Sequence, residues 1–169
     1  MDYTIVIDYQ KDFIDGVLYN ASSISIRPNI IKRIKEDIKK GNKLIFTRDT
    51  HDDSTFMDSN EGKHLPIKHC IKNTEGWELD KEMMESFNYP HQIIDKPTFG
   101  YKDWNLEEPE NIYMMGVCTD ICVISNAIIL KALYPNTNVY VYSDSCAGLT
   151  QEKHNAALET MKSCQVEVI

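Results

Sequence analysis

Gly116-Val117-Cys118-Thr119-Asp120-Ile121-Cys122-Val123 is the stretch that decides the fold. Before it, Asn111-Ile112-Tyr113-Met114-Met115 is apolar and β-prone. After it, Ile121, Ile124, Ala127, Ile128 and Ala132 recur at helical spacing up to Leu133-Tyr134-Pro135. The segment therefore reads as a buried strand, a tight glycine-containing turn and a helix start. Thr119 is the expected N-cap, with Cys122 in the first helical turn. Unpaired N–H groups and the positive end of the helix dipole favour a thiolate there, lowering a cysteine pKa from its usual ~8.5. The competing reading is a small buried cysteine that only packs.

Working outward, the 169 residues suit one domain over 1–169 with a sizeable core. The formal net charge is -8, with no basic cluster, which argues against nucleic acid or an anionic membrane surface as partner. No apolar run is long enough to span a bilayer, and no secretory leader is expected. Cys70, Cys118, Cys122, Cys146 and Cys164 are odd in number and form no CxxC pair. Free thiols and a cytoplasmic setting are the expectation. Self-association into a homo-oligomer is compatible with this composition.

Tyr3-Thr4-Ile5-Val6-Ile7 reads as a strand buried in a parallel sheet, ending at Asp8-Tyr9-Gln10-Lys11-Asp12-Phe13. A carboxylate at such a strand end lies where open α/β sheets bind ligands. Asp12 reads as a turn cap instead. Ile26, Ile30, Ile31, Ile34 and Ile38 form one helical face that stops at Gly41-Asn42. A second strand, Lys43-Leu44-Ile45-Phe46-Thr47, runs into Arg48-Asp49-Thr50-His51. Residues 52 to 77 show no periodicity and carry His64, His69 and Cys70. Asp49 and His51, two apart in an extended segment, share a side, and His69 is a candidate third ligand for a divalent metal. Two histidines and a carboxylate suit zinc first, then iron(II) or manganese(II).

Leu79, Met83, Met84 and Phe87 suggest a short helix, and His91-Gln92-Ile93-Ile94-Asp95 a third strand with Lys96 at its end. Pro97 keeps Lys96 extended. The span 97–111 is too short for a full crossover helix, leaving room for one turn near Trp104 and Leu106. Val139-Tyr140-Val141-Tyr142, a helix marked by His154, Ala157, Leu158 and Met161, and a strand over Val166-Glu167-Val168-Ile169 complete the chain. This alternation predicts a doubly wound α/β sheet.

Together, Asp8-x-Gln10-x-Asp12-Phe13, Thr47-Arg48-Asp49-x-His51, His69-Cys70, Lys96 and the Gly116–Val123 stretch resemble the isochorismatase-like cysteine hydrolases, nicotinamidase/pyrazinamidase branch. The resemblance covers nearly the whole chain. It implies a six-stranded parallel sheet with helices on both faces, a Rossmann-like three-layer arrangement. It implies a catalytic triad of Asp8, Lys96 and Cys122, and one divalent metal on Asp49, His51 and His69. It also implies a cis peptide at Val117–Cys118, with the N–H groups of Cys118 and Cys122 as the oxyanion hole. The implied activity is hydrolysis of a small carboxamide, nicotinamide first and pyrazinamide second, through a Cys122 thioester, as in NAD salvage. The alternatives are another small amide, or a water-activating metal site with a structural Cys122. Phe13, Tyr101 and Trp104 are the expected aromatic walls. Two departures from the branch stand out: Cys118 where alanine is usual, and Leu65-Pro66-Ile67-Lys68 where an aromatic often precedes the third ligand.

Overall fold

The computed structural model describes all 169 residues. Six strands form one all-parallel sheet: β1 (Asp2–Ile7), β2 (Lys43–Asp49), β3 (His91–Lys96), β4 (Asn111–Val117), β5 (Asn138–Ala147) and β6 (Glu167–Val168). Their spatial order is β3-β2-β1-β4-β5-β6. The chain winds outward from β1 to β3, then returns past β1 to build β4, β5 and β6. Right-handed crossovers in opposite directions put helices on both faces. The reversal lies between β1 and β4, where the carboxyl ends of the strands leave a crevice.

The helices are α1 (Lys11–Ile14), α2 (Ala21–Ser25), α3 (Arg27–Lys40), α4 (Asn60–His64), α5 (Lys81–Glu85), α6 (Ile124–Leu133) and α7 (Gln151–Ser163). In α3, Ile30 and Ile34 are fully buried, and Gly41 ends the helix at φ 86, a left-handed cap. The interior strands β1, β2 and β4 are almost wholly buried, whereas β3 at the edge exposes most of its residues. This is why β1 and β2 read as continuous apolar runs. A contiguous core of 32 buried residues fills both sides of the sheet.

Gly116 is the position on which the crevice depends. Its φ is 124, and a Cβ there would strike the Ile7 carbonyl oxygen of β1. Only glycine lets β1 and β4 close up one residue before Asp8. The Val117–Cys118 peptide that follows is cis.

Three expectations need correction. Thr119 is not the cap: Cys118 precedes the helix, and Thr119–Val123 forms a π-type turn before α6. No helical turn forms near Trp104 and Leu106; residues 97–110 run as an irregular strap. The terminal strand is only Glu167–Val168, paired with Tyr140 and Val141.

Candidate active site

Asp8, Asp49 and Lys96 stand at the carboxyl ends of β1, β2 and β3, and Cys122 lies in the π-type turn after β4. Parallel register brings Asp49 directly beside Lys96. Asp8 and Lys96 are fully buried, and Cys122 is nearly so. Lys96 Nζ lies 2.5 Å from Asp8 Oδ2 and 3.9 Å from Asp49 Oδ1, and it donates to Thr98 O at 3.0 Å. Thr47 Oγ1 donates to Asp8 Oδ1 at 2.6 Å, which leaves Oδ2 with the ammonium as its only polar neighbour of opposite charge. Lys96 and Asp8 are the nearest charges acting on the Cys122 thiol.

The electrostatics follow from burial and from the neighbouring charges. Burial pushes the Asp8 carboxyl up, against the lowering effect of Lys96. For Lys96, burial alone favours the neutral amine, but Asp8, Cys122 and Asp49 outweigh it and hold the ammonium. Burial pushes the Cys122 thiol well up, and Asp8 adds to this while Lys96 opposes it. The expectation of a lowered thiol pKa is therefore corrected. The helix-start effect is outweighed because the sulfur is enclosed beside a carboxylate.

Next to this set, one ligand atom from each of Asp49, His51, Glu61 and His69 lies within 4.8 Å of the others. His51 Nε2 is 2.9 Å from Asp49 Oδ2, and His69 Nε2 is 3.3 Å from Glu61 Oε1. His69 Nδ1 bonds Ile67 O at 2.7 Å, which fixes the ring with Nε2 facing inward. Phe56 packs edge-on against both imidazoles. Burial favours a neutral His69, yet Asp49 and Glu61 outweigh it and raise its pKa to about 10. Burial also disfavours ionised Asp49, but His51, His69 and Lys96 hold its carboxyl below the usual range. Asp49 Oδ1 is buried without a hydrogen-bond partner. Two inward imidazole nitrogens, two carboxylates and an orphaned oxygen form a donor set that demands positive charge, and it fits a divalent ion. Glu61 was missed from sequence; it lies on the short helix α4, inside a segment without periodicity.

Phe13, Asp49, Glu61, His69, Cys118 and Cys122 all line one cavity of about 970 Å³. The Phe13 ring sits 5.9 Å from that of His69. Burial pushes the Cys118 thiol up to about 12. Tyr101 and Trp104 do not line the cavity, contrary to expectation. The Trp104 indole N–H and the Tyr101 backbone N–H both donate to Asn126 Oδ1, at 3.2 and 2.9 Å. Asn126 Nδ2 in turn donates to Cys122 O at 2.8 Å and Phe99 O at 3.0 Å. The irregular strap lacks internal ladder bonds, so these two residues anchor it to α6. Phe99, not Trp104, reaches the cavity. Asp12 does more than cap a turn: it lies in α1, and its Oδ2 accepts the Cys70 N–H at 2.8 Å beside His69, tying that loop to α1.

A parallel sheet carrying a buried carboxylate, ammonium and thiol at its carboxyl edge is a doubly wound α/β architecture with its polar groups gathered at the strand ends. The chain belongs to the isochorismatase family, whose domain profile matches residues 3–169. It is 24% identical to the nicotinamidase of Schizosaccharomyces pombe, over 98% of this chain and 91% of that one. It is 27% identical to a protein of Arabidopsis thaliana named "Probable inactive nicotinamidase", over 96% of this chain and 89% of the other. A crystal structure of the pyrazinamidase of Pyrococcus horikoshii in complex with zinc superposes with a TM-score of 0.83 at 27% identity, covering 99% of this chain and 98% of that one.

Proposed function

We propose that this protein is an amidohydrolase of the nicotinamidase type, cleaving a small planar carboxamide to the acid and ammonia through a Cys122 thioester. The observation that carries this reading is the shared cavity. Cys122, from the buried Asp8–Lys96–Cys122 set, lines the same cavity as Asp49, Glu61 and His69 of the neighbouring cluster. Nicotinamidase and pyrazinamidase relatives over nearly the full chain support it.

Burial disfavours the Cys122 thiolate, so its proton leaves as the sulfur attacks. Asp8 takes that proton; its raised pKa makes it a stronger base than an exposed aspartate. Lys96 stays charged and stabilises both anions in turn. The N–H groups of Cys118 and Cys122 receive the oxyanion, a contribution of about 3–4 kcal/mol per donor at comparable sites. Asp8 gives its proton to the departing ammonia. It then takes a proton from the water that cleaves the thioester. Asp49, His51, Glu61 and His69 would hold a divalent ion, zinc before iron or manganese. Such an ion supplies a Lewis-acid anchor for a heteroaromatic ring nitrogen. Phe13 covers the ring face.

Ammonia release from nicotinamide, measured before and after chelation, tests the reading. Iodoacetamide should inactivate the enzyme, and substrate should protect it. Turnover that survives full alkylation of Cys122 would assign the chemistry to the metal centre instead.

A further inference from the structure

The cavity above Cys122 far exceeds the needs of a single-ring carboxamide. At about 970 Å³ it reaches the upper end of the range that encloses drug-sized ligands, roughly 300–1,000 Å³. Its floor is polar and closed: Asp49, His69 and Cys122 are all buried. Its mouth is apolar and open. Val17, Tyr19, Leu65, Phe99 and Leu149 line it, and Val17, Tyr19 and Leu149 are 58%, 59% and 50% exposed. Large side chains of this kind, gathered around one opening, mark a binding surface. They are continuous with the nucleophile, so whatever covers them also reaches the reacting group.

We propose that the substrate is a primary carboxamide whose acyl part carries an extended apolar substituent, seated between Val17, Tyr19, Leu65, Phe99 and Leu149. This rests on the amidase reading above. The direction follows from the proton path. Asp8 must protonate the departing nitrogen, and Asp8 is fully enclosed. The nitrogen therefore leaves at the closed end, where ammonia fits and a bulky amine does not. The acyl part faces the mouth. The reaction balances as before: amide and water give the long-chain acid and ammonia.

The test uses the metal-loaded protein and a series of nicotinamides carrying methyl, propyl or hexyl at ring carbon 5, with N-hexylnicotinamide as control. Ammonia or amine release gives kcat/KM. The expected rise is about fourfold per methylene from methyl to propyl, the gain from burying each one, with no gain for the N-hexyl compound. Leu149→Asp should flatten the rise within its own series. Nicotinamide cleavage with a flat or falling series overturns the proposal and leaves the amidase reading intact. If no member is cleaved, the amidase reading fails. Calorimetric Kd values for nicotinamide and its 5-hexyl derivative then judge the pocket, equal values overturning the proposal. A flat series in a protein that sediments as a dimer, with Leu149→Asp restoring the monomer, assigns the mouth to a second copy and also overturns it.

Discussion

Gln10 holds Asp49 from both sides of its backbone. Its Oε1 accepts the Asp49 N–H at 2.7 Å, and its Nε2 donates to Asp49 O at 2.9 Å and Trp77 O at 2.8 Å. All are buried, so Gln10→Leu strands polar groups at about 1–3 kcal/mol each. A lower urea midpoint and a 10- to 100-fold weaker metal affinity, read by chelator competition, are the expected outcome. Unchanged metal retention would show that the clamp does not position Asp49. At the nucleophile, Cys122→Ala should lower kcat by more than about a thousandfold, whereas Cys118→Ala keeps most of it. Ammonia release from the two variants decides the assignment, and the reverse pattern refutes it. The placement of these groups at one edge of the sheet was legible: Asp8 ends an apolar run, Lys96 ends a strand before Pro97, and Cys122 opens the helical pattern after Gly116. Glu61 was not, because a one-turn helix such as α4 leaves no periodic trace. Trp104 misled for a simpler reason: an indole suits a pocket wall and a buried anchor equally, and only its bond to Asn126 separates the two.

α7 reaches the Cys122 segment through a side-chain bond. Thr119 Oγ1 lies 2.7 Å from His154 Nδ1, and Thr119 is fully buried. Burial lowers the His154 pKa, with Asp120 opposing the shift. The folded value therefore lies below the unfolded one of about 6.5. Stability from neutral His154 is present above about pH 6.5 and is lost as pH falls through the folded value. Urea midpoints at pH 7 and pH 5 should differ more for the native protein than for His154→Gln; equal differences would remove His154 from the account. Along the strap, Trp104→Phe should cost about 1 kcal/mol in urea unfolding through its lost hydrogen bond, with nicotinamide turnover retained. A collapse of turnover at unchanged stability would restore Trp104 as a substrate wall. Strands and long helices were legible from periodicity and from Gly41. The π-type turn was not, since its pattern continues into α6 without a break.

For the whole molecule, the order β3-β2-β1-β4-β5-β6 sets the reversal of winding between β1 and β4, and every site group lies around that crevice. The alternation of strand and helix made the doubly wound class readable. The cavity mouth was not readable, because the loop of Val17 and Tyr19, that of Phe99 and that of Leu149 meet only in the fold. A divalent ion on Asp49, His51, Glu61 and His69, which come from three chain segments, would bind only the folded state. Saturation at a hundredfold above Kd should add about 2.7 kcal/mol, seen as a fall in Tm on chelation. An unchanged Tm would rule out a tightly held ion. The central claim is covalent catalysis by Cys122, and one measurement addresses it directly. Nicotinamide turnover is quenched in acid within the first catalytic cycles, and the protein is digested and weighed. The account predicts a nicotinoyl mass on the peptide carrying Cys122, absent from Cys122→Ala. Full turnover with no acyl adduct, retained in Cys122→Ala, would contradict it.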